Sequence, residues 1–193
     1  MATIILAGGM STRMGRDKAS LPYGESTLLR VLVSRFEGRF GPVIVAARPE
    51  MHIELEDVMI VNDTFIGNGP LGGLHAGLLA SPDARNFVIA CDMPLADPRL
   101  AEYLLGKLDE HDAVVPMLST GPEPLHAAYS KTCLPQVEAN LRCGALRMRN
   151  LLDQIDTLYI AEDELRQTNM DLSSFENVNT IEEYLSLARP NGE

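Results

Sequence analysis

Apolar positions follow two rhythms along this chain. Thr3–Leu6, Pro42–Ala46 ("PVIVA"), Asp57–Val61 ("DVMIV") and Asn86–Ala90 ("NFVIA") are short runs of mostly apolar residues. The first and the last have the pattern of strands buried on both faces, and the two between them read as strands. Between them, Thr27–Phe36 and Leu71–Ala80 repeat their apolar residues at helical spacing. Pro70 suits a first helical turn, where a missing N–H is not needed. Asp97 followed by Pro98 predicts an N-cap and the first residue of a further helix. Ala113–Pro116 and Leu125–Tyr129 read as strands, Lys131–Leu141 and Gly144–Leu152 as helices, and Thr157–Ile160 as extended. Thr180 and Glu183 are spaced as a capping box that would open a last helix, Ile181–Ala188.

Strands alternating with helices predict an α/β fold. Its mostly parallel sheet would lie between two helical layers, a three-layer αβα sandwich. In such sheets ligands sit beyond the carboxyl ends of the strands. Three polar or glycine clusters fall there: Gly8-Gly9, Asn62-Asp63 and Cys91-Asp92. With 193 residues and no repeat or low-complexity linker, the chain is expected to form a single domain.

Charge narrows the chemistry. A formal net charge of −11 disfavours binding to nucleic acid or an anionic membrane. An anionic substrate would need a locally basic pocket, and Arg13, Arg16 and Lys18 form the dense basic cluster near glycines. Three scattered cysteines suggest a reducing compartment rather than a disulfide framework. With no signal-peptide pattern and no membrane-length apolar run, the expected location is the cytoplasm.

The stretch "IILAGGMSTRMGRDK" has the ingredients of a phosphate cradle without either common spacing. It fits neither the P-loop nor the dinucleotide fingerprint. Gly8 and Gly9 still allow close backbone approach. Arg13 offers a planar fork and Lys18 a mobile point charge. A plain glycine turn with solvated cations is the alternative.

The longer stretch "LAGGMSTRMGRDKASLPYGESTLL" resembles the signature of the molybdopterin nucleotidyltransferases, the MobA-like NTP transferase family. "NDTFIGNGPLGGLHAGL", "FVIACDMPL", "EPLHAAY" and "NVNTIEEY" resemble its later segments, in the family's order. The resemblance implies a Rossmann-like sheet of the nucleotide-diphospho-sugar transferase type. It also implies Mg²⁺ as cofactor, and GTP and molybdopterin as substrates. Residues 1–95 would be mainly the nucleotide-binding half and 96–188 mainly the molybdopterin-binding half. Molybdopterin-insertion proteins or molybdoenzyme chaperones would be downstream partners. Leu6-Ala7-Gly8-Gly9, in place of Leu-Ala-Ala-Gly, points to GTP rather than CTP and so to GMP transfer. The rival readings are a CTP-using or other NTP transferase, and a nucleotide-binding protein without turnover.

Carried over residue by residue, Leu6, Ala7, Gly8 and Gly9 would line the nucleotide through their backbone. Lys18 and Arg13 would meet its triphosphate. Asp92 would hold Mg²⁺, a cation that takes one or two protein carboxylates plus phosphate oxygens. Asp63 and Gly69 would contact the nucleotide; an Asx turn is the alternative for Asp63. The glycines of Gly69–Gly77 would admit either a base or a tightly packed strand. His126, Asn177 and Asn179 would touch molybdopterin, although a lone histidine among apolar residues is often structural and the asparagines would also suit a helix cap. Ala47 stands where some relatives place an asparagine, so base specificity would rest on fewer contacts.

Overall fold

A computed structural model describes residues 1–8, 22–23, 26–51, 53, 55–56, 58–65, 67–168 and 170–178. The helix expected at Ile181–Ala188 lies outside these residues. Ten strands are described: β1 (Ala2–Leu6), β2 (Pro22–Tyr23), β3 (Ser26–Thr27), β4 (Val43–Ala47), β5 (Met59–Asn62), β6 (Arg85–Ala90), β7 (Ala113–Leu118), β8 (Gly121–Pro122), β9 (His126–Ser130) and β10 (Thr157–Ala161). The helices are α1 (Leu28–Phe36), α2 (Gly69–Ala80), α3 (Pro98–Gly106), α4 (Leu134–Cys143), α5 (Met148–Leu152) and α6 (Glu162–Gln167). None of the described helices is long and apolar enough to cross a membrane.

The main sheet runs β10-β7-β9-β6-β1-β4-β5, with β8 paired to β7. Strand β1 lies near its centre, parallel to both β4 and β6. The sheet is mostly parallel, as expected, and is interrupted by β9, which is antiparallel to both β6 and β7. The main-sheet strands from residues 1–95 therefore fall on one side of the β6–β9 boundary, and those after it on the other, while β2 and β3 pair in a small sheet of their own.

Alternate side chains of β1 serve opposite faces, as a doubly covered strand requires. Ile5 faces a core built with Leu29, Leu32 and Phe36 of α1 and Leu100 and Leu104 of α3. Ile4 and Leu6 face Leu71, Leu74 and Leu78 of α2 and Val137 and Leu141 of α4. Full burial of each such side chain stabilises the fold by about 1.5–3 kcal/mol.

Local chemistry sets several element ends. Thr27 caps α1, its hydroxyl accepting from the Arg30 N–H at 3.3 Å. Asp97 caps α3 as its sequence predicts, accepting from the Arg99 N–H at 2.8 Å. The helix expected at Lys131–Leu141 divides into a 3₁₀ turn, Lys131–Cys133, and α4, which has Pro135 in its first turn. Gly144 closes α4 at φ +77°, a conformation that glycine adopts without a side-chain penalty. A helix therefore does not start there; α5 begins only at Met148.

Candidate active site

The carboxyl ends of β1, β4, β5 and β6 come together through backbone hydrogen bonds. The Ala7 N–H donates to the Ala46 carbonyl at 2.8 Å, and the Cys91 N–H donates to the Leu6 carbonyl at 3.1 Å. Leu6, Ala7 and Gly8 are thus held between the ends of two neighbouring strands. The stem of Arg48 lies beside Gly8, where a Cβ would meet its Cγ at 3.4 Å. The sequence pattern gave no reason to single out this cation at the end of β4.

One strand further out, the Asp63 N–H donates to the Ala47 carbonyl at 3.1 Å. The Asp63 Oδ1 accepts from the Phe65 N–H at 2.8 Å, so the Asx turn is present. Burial raises the Asp63 carboxyl above its ordinary value, opposed by the Phe65 hydrogen bond and by the field of His75. The carboxylate also lies against α2: a Cβ on Gly72 would fall 2.3 Å from Oδ2. Ala47 is buried and pairs in register with Asn62. An amide thus sits on the strand next to the position that lacks one.

The glycines of α2 divide by what they meet. Gly72 makes room for the Asp63 carboxylate, whereas Gly73 and Gly77 face the Leu6 and Ile4 side chains of β1. Close packing of helix on strand thus accounts for the latter two. Gly69 is needed for its backbone, at φ +62° with open space around it, in the turn that joins Asp63 to α2.

Asp92 follows β6 and is half-buried. Its carbonyl accepts from the Val178 N–H at 2.8 Å. This bond brings the exposed Asn177 beside the Asp92 turn, joining two sites far apart in sequence. The segment is fixed from below by Ser174, whose Oγ accepts from the Asp97 N–H at 3.1 Å. Phe175 adds an anchor, its ring 4.8 Å from that of His126.

His126 itself requires a correction. It is fully buried, 0% exposed, between the rings of Phe87 and Phe175. Among the described residues neither ring nitrogen has a hydrogen-bond partner, and burial depresses its pKa to about 3. A neutral core imidazole closed off by two phenyl rings is out of reach of a substrate. Its place is under the segment that carries Asn177. Gly9, Arg13, Lys18 and Asn179 lie outside the described residues.

Among the described residues no cluster of three or more histidine, cysteine or acidic side chains could hold a metal. A half-buried Asp92 at a strand end still fits Mg²⁺, which takes one or two protein carboxylates and completes its shell with water and phosphate oxygens.

Comparison with known proteins agrees with this architecture. A probable molybdenum cofactor guanylyltransferase of Peptoclostridium acidaminophilum is 36% identical over 190 residues, covering 94% of this chain and 86% of that protein. A molybdenum cofactor guanylyltransferase of Desulfosudis oleivorans is 32% identical over 182 residues, covering 93% and 90%. The fold matches the crystal structure of molybdopterin-guanine dinucleotide biosynthesis protein A from Archaeoglobus fulgidus, with a TM-score of 0.84, 24% identity and 97% of each chain covered. It also matches 2-C-methyl-D-erythritol 4-phosphate cytidylyltransferase from Thermus thermophilus, with a TM-score of 0.71, 14% identity and 96% of each chain covered. The model of the MobA-like NTP transferase domain matches residues 3–158, and the chain belongs to that family.

Proposed function

We propose that this protein transfers GMP from GTP to the molybdopterin cofactor, forming molybdopterin guanine dinucleotide and releasing pyrophosphate. The observation that carries the reading is the shared strand-end row: Leu6–Gly8, Asp63 and Asp92 lie along one rim, with Asn177 brought to Asp92 by the Val178 hydrogen bond. Relatives that bear the guanylyltransferase name across most of their length support the choice of nucleotide.

The nucleophile is the terminal phosphate of molybdopterin, already anionic at neutral pH, so no general base is required. One of its oxygens bonds to the α-phosphorus of GTP as the bond to the β-phosphate oxygen breaks. Pyrophosphate leaves with that electron pair. Two anions must meet, so positioning and charge stabilisation carry the catalysis. The backbone of Leu6–Gly9 receives the nucleotide, and Arg13 and Lys18 answer the charge of its triphosphate. Asp63 and Gly69 border the nucleotide at the start of α2. Asp92 would hold Mg²⁺, which when bound neutralises phosphate charge and polarises the phosphoryl group. Asn177 and Asn179 serve the acceptor side. The three cysteines, none of them in a disulfide, suit the reducing cytoplasm. Molybdopterin-insertion proteins or molybdoenzyme chaperones are the partners such a product implies.

The test is pyrophosphate release with Mg²⁺ and each nucleoside triphosphate in turn, with and without molybdopterin. Release with GTP and molybdopterin together is expected. Release with CTP instead would change the nucleotide, and GTP binding without release would make the protein a non-transferring binder. Lys18→Ala and Asp92→Ala should remain folded and lose transfer; a fully active Lys18→Ala protein would overturn these roles.

A further inference from the structure

The direction of β9 has a chemical result. Because it is antiparallel, the loop that enters it lies at the same end of the sheet as the loops that leave β1, β4, β5 and β6. That entering loop carries Glu123. Its backbone is tied on both sides: the Glu123 N–H donates to the Pro116 carbonyl of β7 at 2.9 Å, and the Ala90 N–H of β6 donates to the Leu125 carbonyl at 2.9 Å. Glu123 therefore stands two residues before Leu125, which is bonded to the end of the strand that leads directly into Cys91 and Asp92.

The side chain is half-buried. Burial raises its pKa, and among the described residues no cation or donor opposes it. A partly desolvated carboxylate without a protein partner is costly to keep. It is on the β9 side of Asp92, away from β1, β4 and β5 where Gly8 and Asp63 lie. That is the side left for the acceptor. The pterin of molybdopterin presents a 2-amino group and an N3–H side by side, two donors at the spacing of a carboxylate's two oxygens.

We propose that Glu123 recognises the acceptor by taking hydrogen bonds from the 2-amino and N3–H groups of its pterin ring. The proposal rests on the molybdopterin-dependent reading above and assigns the acceptor contact to a residue three positions before His126. Paired donors on an ionised carboxylate make charge-assisted bonds, stronger than neutral ones. Glutamine at this position keeps one acceptor but sets an N–H₂ group against a donor.

The experiment is steady-state GMP transfer by the full chain with wild type, Glu123→Gln and Glu123→Asp, varying molybdopterin and GTP separately. Glu123→Gln should raise the acceptor KM about tenfold or more while leaving the GTP KM unchanged, the effect of losing a hydrogen bond to a charged group. Glu123→Asp should retain part of the affinity. Free pterin should inhibit the wild type more strongly than lumazine, which has a carbonyl in place of the 2-amino group, and Glu123→Gln should lose that preference. An acceptor KM within about twofold of wild type, or an equal rise in the GTP KM or Mg²⁺ requirement, overturns the proposal. Wild-type protein that fails to transfer GMP to molybdopterin overturns the functional reading itself. Normal transfer by Glu123→Gln removes only Glu123.

Discussion

His126 should make the protein sensitive to mild acid. Its ring titrates at about 3 in the fold, against 6.5 for an unburied histidine. As pH falls, the unfolded chain takes the proton first. Stability is therefore whole above the unfolded value, falls with pH between the two values by about 1.4 kcal/mol per unit, and levels off below the folded one. At pH about 5 the loss relative to pH about 8 is about 2 kcal/mol from this residue alone. His126→Phe keeps an aromatic ring between Phe87 and Phe175 and removes the titrating group. Urea unfolding of both proteins at several pH values across that range would show the gap between them change by that amount. The carboxylates held low by hydrogen bonds, Asp97, Glu162, Glu164 and Asp171, give up their contributions only as pH falls through the ordinary carboxylate range and below. They leave the window above it clear. Stability curves that run parallel for wild type and variant would refute the reasoning.

Two glycines of α2 should respond in opposite ways to the same substitution. Gly77→Ala puts a Cβ 2.3 Å from the Ile4 Cγ2 in a core with no slack; overpacking outweighs the gain in helix propensity, for a net loss of about 1–2 kcal/mol. Urea unfolding measures it, and combining it with Ile4→Ala should cost less than the sum of the two. Gly72→Ala meets a half-exposed carboxylate that can swing away, so the melting temperature should hold while GTP affinity by calorimetry falls about tenfold as Asp63 is displaced. Unchanged GTP affinity would remove Asp63 from the nucleotide site.

The parts of this architecture that local pattern controls were legible in the sequence. Continuous apolar runs marked β1, β4 and β6 because both faces of these strands are covered, and Asp97-Pro98 marked the start of α3 because a cap is a local device. What depended on distant partners was not legible. "EPLHAAY" does not reveal that its strand runs backwards, which brings the half-buried Glu123 to the end of the sheet where Asp92 lies and buries His126. The rings that enclose His126 come from β6 and from Phe175, and no spacing near the histidine announces them. The α2 glycines likewise look alike in sequence, and only their neighbours separate a carboxylate pocket from a packing contact. The bond between Asp92 and Val178 joins segments that share no local signal.

The central place of β1 also bears on how the chain is made. β1 is synthesised before both of its partners, β4 and β6, at residues 43–47 and 85–90. At a synthesis rate of about 5–20 residues per second, β1 waits roughly 2–8 s for its first partner and about as long again for its second. During that interval "ATIIL" is an unpaired apolar segment on a nascent chain, the kind of species prone to aggregate. Chaperone capture at the ribosome should therefore act on this protein early and end once residue 90 has emerged.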